Sequence, residues 1–116
     1  MVIIEQVVID YLKEELKTDR VYAEEPDGNP SEEYIVVEKT GSSRENYINQ
    51  STVAIKSYGK SLYDSMVLNG KVKEAMDEMW QKDIIVTDSS LNSDYNFSDT
   101  ERQRYRYQAV YELTHY

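Results

Sequence analysis

The chain has 116 residues, of which 40% are hydrophobic and 30% are charged, a composition typical of one polar globular domain. Thirteen basic and 22 acidic side chains give a net charge of −9, which disfavours stable binding to nucleic-acid phosphates. The sequence has no cysteine and a single histidine, His115. Disulfides, thiolate metal sites and multi-histidine metal sites are therefore excluded within it, and we expect no metal and no cofactor.

No apolar run approaches the length of a membrane-spanning helix, and no basic segment precedes the apolar start at residues 1–4. We therefore expect neither a membrane segment nor a secretion signal, and we expect synthesis in the cytoplasm.

The first half of the chain changes from a helical to an extended pattern. Apolar residues four apart, from Ile4 to Leu16, predict a helix over residues 2–17. Residues 21–23 predict a short strand, and residues 24–30 predict a loop rich in Pro, Asp and Gly. Two β-branched segments, 34–40 and 52–58, predict an antiparallel pair of strands. The polar residues 41–49 between them are interpreted as a loop.

The second helix is predicted to begin after Ser61, an N-cap with Asp64 three residues later. Gly70 predicts either a bend in this helix or a meeting of two short helices. A stripe of apolar residues at helical spacing predicts the face that packs on the core. Its members are Leu62, Met66, Val72, Met76 and Met79.

Two further strands complete the prediction. Residues 84–87 predict a strand, residues 88–100 a polar loop, and residues 105–113 a long strand. In this last strand one face is predicted to carry Tyr105, Tyr107, Ala109, Tyr111 and Leu113. The order α-β-β-β-α-β-β predicts an α+β fold in a single domain spanning 1–116. We expect a mostly antiparallel sheet with two helices packed on one face.

The segment 88–99 has the oxygen spacing of a calcium-binding loop. Its oxygen-bearing residues are Asp88, Ser90, Asn92, Asp94, Asn96 and Asp99. Ser93 stands where the sharp turn requires glycine, Asp99 replaces the bidentate Glu, and a strand leads into the segment. We therefore interpret this segment as a solvated polar loop.

The sequence contains no arrangement typical of an active site. Its adjacent carboxylates, such as Glu14 and Glu15, point apart on a helix or a strand and do not form an acid–base pair. No phosphate-binding glycine loop and no usable Ser-His-Asp order occurs, and His115 stands at the penultimate position, where chains usually fray. We expect a protein that is not an enzyme and has no catalytic residues.

Eleven tyrosines, against one Phe and one Trp, are the most unusual count in the composition. Tyr105, Tyr107 and Tyr111 on one strand face, beside Arg104 and Arg106, allow two interpretations. They are either a stacking platform for a ligand or single strand, or part of the core or of a subunit interface. The negative net charge favours the second interpretation.

The chain as a whole resembles the tail-terminator, or tail-completion, proteins of long-tailed bacteriophages and prophages of Gram-positive bacteria, which are also described as minor capsid proteins. The resemblance lies in the opening helix, in residues 21–26, and in the extended segment 34–41 that follows a proline. It continues through residues 51–61 into the second helix and ends at the strand around residues 104–107. Gly70 departs from the expected pattern of that helix.

This resemblance implies a structural role in virion assembly. The subunit would form a ring, a hexamer, on the finished tail tube, where it stops tube polymerisation and presents a surface for head–tail joining. Implied partners are other copies of the chain, the major tail tube protein and the head-closure or connector protein. The expected location is the head-proximal end of the tail in the virion, and DNA would pass through the ring without stable binding.

Two alternatives remain open. One is a head-closure or adaptor component of the same particle, and the other is a free acidic inhibitor that mimics the charge of DNA. For the assembly role we expect the polar segments 41–49 and 88–100 and the start of the last strand to make contacts. The candidate interface residues are Ser43, Arg44, Tyr47, Asp94, Tyr95, Phe97, Arg104 and Arg106.

Overall fold

A computed structural model describes residues 2–26, 33–98 and 104–116. In chain order the elements are α1 (Ile4–Leu16), β1 (Val21–Tyr22), β2 (Tyr34–Glu45), β3 (Ile48–Gly59), α2 (Leu62–Asp77), α3 (Met79–Lys82), β4 (Val86–Asn96) and β5 (Tyr105–His115). The strands form one sheet in the order β1-β2-β3-β5-β4, in which β1 is parallel to β2 and the other neighbours are antiparallel. The predicted α+β class and element order are confirmed, with the single-turn α3 added.

The main core lies between the helices and one face of the sheet. Its members include Ile4, Val8 and Leu12 of α1, which repeat every four residues and so share one side of the helix. The sheet contributes buried apolar residues of its central strands to the same core, such as Ile55 of β3 and Tyr111 of β5. Burial of these side chains is the main stabilising contribution to the fold.

The segment 41–49, predicted as a loop, is a β-hairpin. Strands β2 and β3 continue to Glu45 and from Ile48, and Asn46 and Tyr47 form the turn with φ values of 51° and 67°. Positive φ at both central residues suits the twist of two antiparallel strands. The loop prediction is wrong because polar, exposed residues can form a ladder once a neighbouring strand supplies hydrogen-bond partners. Ser43 and Arg44 consequently lie in β2.

The segment 88–100 was also predicted as a loop, yet it forms most of β4 as far as Asn96, and residues 99 and 100 lie outside the described residues. Its pairing with β5 contains two register shifts, between Val86 and Asp88 and between Leu91 and Ser93. Successive strand side chains point to opposite faces of the sheet. The shift between Leu91 and Ser93 moves the later oxygens to the other face, since Asp88 and Ser90 pair with Thr114 and Glu112 whereas Asp94 and Asn96 pair with Ala109 and Tyr107. The oxygens of this segment therefore do not converge on one ion, and within the described residues no cluster of three or more His, Asp or Glu is placed to hold a metal.

Helix α2 begins as the sequence predicts. Ser61 Oγ accepts a hydrogen bond from the backbone N–H of Asp64 at 3.1 Å. The helix then runs without interruption through Gly70 to Asp77, so two short helices do not meet at Gly70. The break falls after Asp77, before α3. Where Gly59 ends β3, an added Cβ would lie 2.5 Å from the backbone nitrogen of Ser65, so only glycine allows this close approach of α2 to the sheet.

The buried face of α2 differs from the predicted stripe. Val72, Met76 and also Leu68 face the core, whereas Leu62 and Met66 are exposed. The prediction that these two belong to the core is wrong, because the first turns of α2 present two apolar stripes and the sheet covers only one of them.

Candidate assembly interface

The sheet face opposite the helices carries, at one end, a line of four aromatic side chains together with one arginine. We name Tyr22, Tyr34, Tyr58, Phe97 and Arg106 the aromatic row. The rings of Tyr34 and Tyr58 are stacked, with centroids 4.4 Å apart and planes inclined by 9°, and Tyr22 is tilted against Tyr34 at 6.3 Å. The strand register places these tyrosines side by side, since Tyr34 pairs with Tyr58 across β2 and β3.

Arg106 continues the row on β5, directly opposite Tyr58. Its guanidinium donates to the Tyr58 hydroxyl at 2.8 Å and to the Phe97 carbonyl oxygen at 3.0 Å. Its central carbon lies 4.3 Å from the Phe97 ring centroid and 5.5 Å from that of Tyr58. A planar cation with several donors can make all of these contacts at once, so Arg106 of β5 contacts both β3 and the residue that follows β4.

Glu25, after β1, completes the polar edge of this cluster. It accepts a hydrogen bond from the Tyr58 hydroxyl and lies 3.5 Å from a guanidinium nitrogen of Arg104. Burial, with the hydrogen bond to Glu25, raises the pKa of Tyr58 to about 12, although Arg106 acts in the opposite direction. Tyr58 therefore remains a neutral donor at physiological pH.

Tyr95 extends the surface on the outermost strand. The Gln108 side-chain amide donates to the Tyr95 hydroxyl at 2.9 Å, and the Tyr95 ring meets Phe97 edge-on at 5.9 Å. Tyr95 is 40% exposed and Phe97 48% exposed. This pair thus offers apolar area to a partner while its backbone stays anchored in the sheet.

The structure separates the predicted interface residues into two groups and one outlier. Tyr95, Phe97, Arg104 and Arg106 lie together at the aromatic row. Ser43, Arg44 and Tyr47 lie at the other end of the sheet, where Ser43 pairs with Gln50. Gln50 and Tyr58 are eight positions apart in β3, which corresponds to roughly 26 Å of extended strand.

Asp94 is the outlier. Its carboxylate lies 2.8 Å from Lys73 Nζ of α2, on the helix side of the sheet. It therefore links β4 to α2, away from both groups.

At the hairpin end of the sheet, the central guanidinium carbon of Arg44 lies over the Tyr47 ring, 5.5 Å from the ring centroid.

An exposed apolar stripe on α2 was missed by sequence reasoning. Its residues Leu62, Tyr63, Met66 and Val67 are 38%, 72%, 47% and 40% exposed. We name these four residues the α2 stripe. A sequence signal existed, because they repeat at i, i+1, i+4 and i+5 and thus form a face separate from Leu68 and Val72. The aromatic row was missed as well, since its tyrosines come from three distant segments.

His115 is not frayed but buried at the end of β5, next to Ser51. Ser51 Oγ and His115 Nε2 lie 2.8 Å apart, and His115 Nδ1 lies 3.1 Å from the Tyr116 carbonyl oxygen. The Tyr116 oxygen only accepts, so Nδ1 is the donor in that contact. The two residues are 4% and 5% exposed, which closes the pair to a substrate and makes it a link between β3 and β5.

The chain matches no protein-family model, and no curated protein matches its sequence. Within the described residues, no helix is both long and apolar enough to cross a bilayer.

Proposed function

We propose that this chain is a structural subunit of a long-tailed bacteriophage, which caps the tail tube as a ring. The ring stops polymerisation of the tube protein and presents the surface that joins the tail to the head connector. The proposal rests on the resemblance of the sequence and on one structural observation: large apolar side chains are exposed on several separate elements.

Three exposed apolar sites carry this observation. The first is the α2 stripe. The second is the β2–β3 turn, where Tyr47 is 84% and Ile48 46% exposed. The third is the pair Tyr95 and Phe97 beside the aromatic row. Contiguous exposed apolar surface usually marks a contact with another protein.

Several contact sites on so small a chain favour a position inside an assembly. A ring subunit contacts a neighbour on each side, the tube below and the connector above, and so needs several surfaces. A free inhibitor that mimics DNA needs one strongly acidic surface. The exposed residues of the three sites are aromatic and aliphatic, which favours the structural role.

The charge of the chain is compatible with this position. Its net charge of −9 repels the phosphates of DNA at distances up to about one Debye length, roughly 10 Å at moderate salt. DNA passing through a ring of such subunits would therefore slide without being held.

The test is complementation of a phage or prophage from which the gene has been deleted. Wild-type gene, Tyr63→Glu in the α2 stripe and Ile84→Glu are supplied in parallel. Ile84 is 91% exposed and belongs to none of the three sites, so it controls for the added charge. We expect overlong tail tubes in electron micrographs of the deletion and of Tyr63→Glu, and normal tails with Ile84→Glu.

Two other results would change the proposal. Tails of normal length that are not joined to heads would favour the head-closure role. Normal infectious particles after deletion of the whole gene would overturn any role in tail completion.

A further inference from the structure

The sheet has an open edge on each border in the part of the chain that the structure describes. On one border β4 pairs only with β5, so its outer side has no strand beside it. On the other border β1 covers only Ile35 and Val36 of β2. Residues 38–45 of β2 therefore have a strand neighbour on one side only. An open edge presents backbone N–H and C=O groups to any strand that comes beside it.

The two open stretches lie at the same level of the sheet. Gly41 pairs with Thr52, Thr52 pairs with Glu112, and Glu112 pairs with Ser90. The adjacent row on the same face consists of Ser43, Gln50, Thr114 and Asp88. A second copy placed alongside in the same orientation thus brings its β4 next to the open part of β2.

The strand directions also match. Each neighbouring pair from β2 through β3 and β5 to β4 is antiparallel, so β4 runs opposite to β2. A copy added in this way continues the antiparallel alternation, with the helices of both copies on one side. Different surfaces meet in such a contact, and repetition of it produces a ring or a filament.

The side chains at this level leave room for close approach. Residues 41–43 are Gly, Ser and Ser, and residues 88–90 are Asp, Ser and Ser. Both prolines of the chain lie outside these strands, at positions 26 and 30. Bulges commonly protect strand edges, but here the register shifts fall at Lys39–Gly41, Val86–Asp88 and Leu91–Ser93. They border residues 41–45 and 88–91 without interrupting them.

We propose that copies of this chain associate through an antiparallel ladder between residues 88–91 of β4 in one copy and residues 41–45 of β2 in the next. Ser43 of one copy then lies beside Asp88 or Ser90 of the other. As the contact within a tail-capping ring this pairing rests on the proposed function, whereas the pairing itself can be tested on the isolated protein.

Cysteine cross-linking tests the contact directly, because the chain has no native cysteine. The double variants are Ser43→Cys with Asp88→Cys and Ser43→Cys with Ser90→Cys, all at exposed positions. Within one chain these sites are three strand spacings apart, roughly 14 Å, which exceeds the limit of about 7 Å for a disulfide. Any disulfide between them therefore joins two copies.

Oxidation at millimolar protein concentration should give a series of disulfide-linked oligomers that extends beyond the dimer for at least one double variant. Ser43→Cys with Asp10→Cys is the matched control, because Asp10 is exposed on α1, and it should form linked species at least tenfold more slowly. Thermal melts that match the parent establish that each variant is folded. If both test variants link no faster than the control, the strand-pairing proposal is overturned.

The two proposals fail separately. Rapid cross-linking together with normal tails in the gene deletion would retain the strand pairing and overturn the tail function. Overlong tails in the deletion, without cross-linking above the control, would overturn the strand pairing alone.

Discussion

The central guanidinium carbon of Arg106 lies 4.3 Å from the centroid of the Phe97 ring, while Arg106 Nε donates to the backbone carbonyl oxygen of Phe97 at 3.0 Å. Phe97 follows the end of β4, and its backbone N–H donates to the Arg106 carbonyl at 2.8 Å. Backbone and side chain thus hold the two residues together. The exposed Phe97 ring therefore lies against Arg106.

Arg106→Lys should lower the free energy of unfolding by about 1–2 kcal/mol. Lysine keeps the charge but loses the planar fork that reaches the Tyr58 hydroxyl and the Phe97 carbonyl together. Urea unfolding measures the change. Arg44→Lys is the control, because Arg44 is exposed at the hairpin end, and equal losses in the two variants would contradict the role assigned to Arg106.

Gly59→Ala and Gly70→Ala should change stability in opposite directions. At position 59 a Cβ would meet the backbone of Asp64 and Ser65 within 3.0 Å, so α2 must shift and we expect a loss of about 1–3 kcal/mol. At position 70 nothing lies within 4 Å of the added Cβ, and alanine should stabilise the helix by up to about 1 kcal/mol. Thermal or urea unfolding of both variants measures the difference, and a stabilised Gly59→Ala would show that α2 is docked differently.

The fold should lose stability above pH 10. Burial raises the pKa of Tyr11 and of Tyr58 to about 12 from the ordinary value of 10.0, and it raises the pKa of Tyr111 as well. The folded chain therefore retains protons that the unfolded chain releases. The stabilisation is complete below pH 10 and is lost as the pH rises toward 12.

Tyrosinate absorbance, recorded with circular dichroism during an alkaline titration, measures this effect. The exposed tyrosines should ionise first, and the buried ones only with or after the loss of structure. Simultaneous ionisation of all eleven tyrosines near pH 10 with the fold intact would contradict the burial of these three hydroxyl groups.

Ala109→Asp should be severely destabilising, by several kcal/mol, because Ala109 is fully buried on the helix side of the sheet and the new carboxylate would lose its hydration opposite the like charge of Asp94. Val110→Asp is the control, since Val110 lies on the opposite, half-buried face of β5. Urea unfolding compares the two. If Ala109→Asp unfolds at the same urea concentration as the parent, the assignment of Ala109 to the buried face of β5 is wrong.

Calcium should leave the melting temperature unchanged. The carboxylates of Asp88 and Asp94 lie in β4 on opposite faces of the sheet, as their cross-strand partners Thr114 and Ala109 show. Melts with added calcium and with a chelator should coincide within error. An increase of several degrees with calcium would indicate binding to the folded state.

Local sequence patterns were enough to predict α1, the N-cap at Ser61 and which side chains of β5 share the core-facing side. These features depend on local patterns: apolar residues four apart for a helix on a core, a hydroxyl before the first turn, and alternation along a strand. The antiparallel sheet followed from the order of elements. The proposed tail role follows from the resemblance and stays a prediction, as do the contacts assigned to the eight interface residues.

In the two polar segments, the local sequence pattern did not predict the secondary structure. Residues 41–45 and 88–96 have the composition of loops, but each becomes a strand because another strand lies beside it and satisfies its backbone groups. The aromatic row could not be predicted for a related reason. Tyr22, Tyr34 and Tyr58 are far apart in sequence, and only the register of β1, β2 and β3 brings them together.

The sequence by itself therefore determined which segments carry an apolar face, since that depends on the spacing of side chains along one element. Tertiary structure alone decided which of those faces is covered. The first turns of α2 offer both Leu62 and Leu68, and only the second is buried, because Gly59 lets the helix dock with that side against the sheet. Burial is a property of two surfaces in contact, so the spacing of residues on one of them does not fix it.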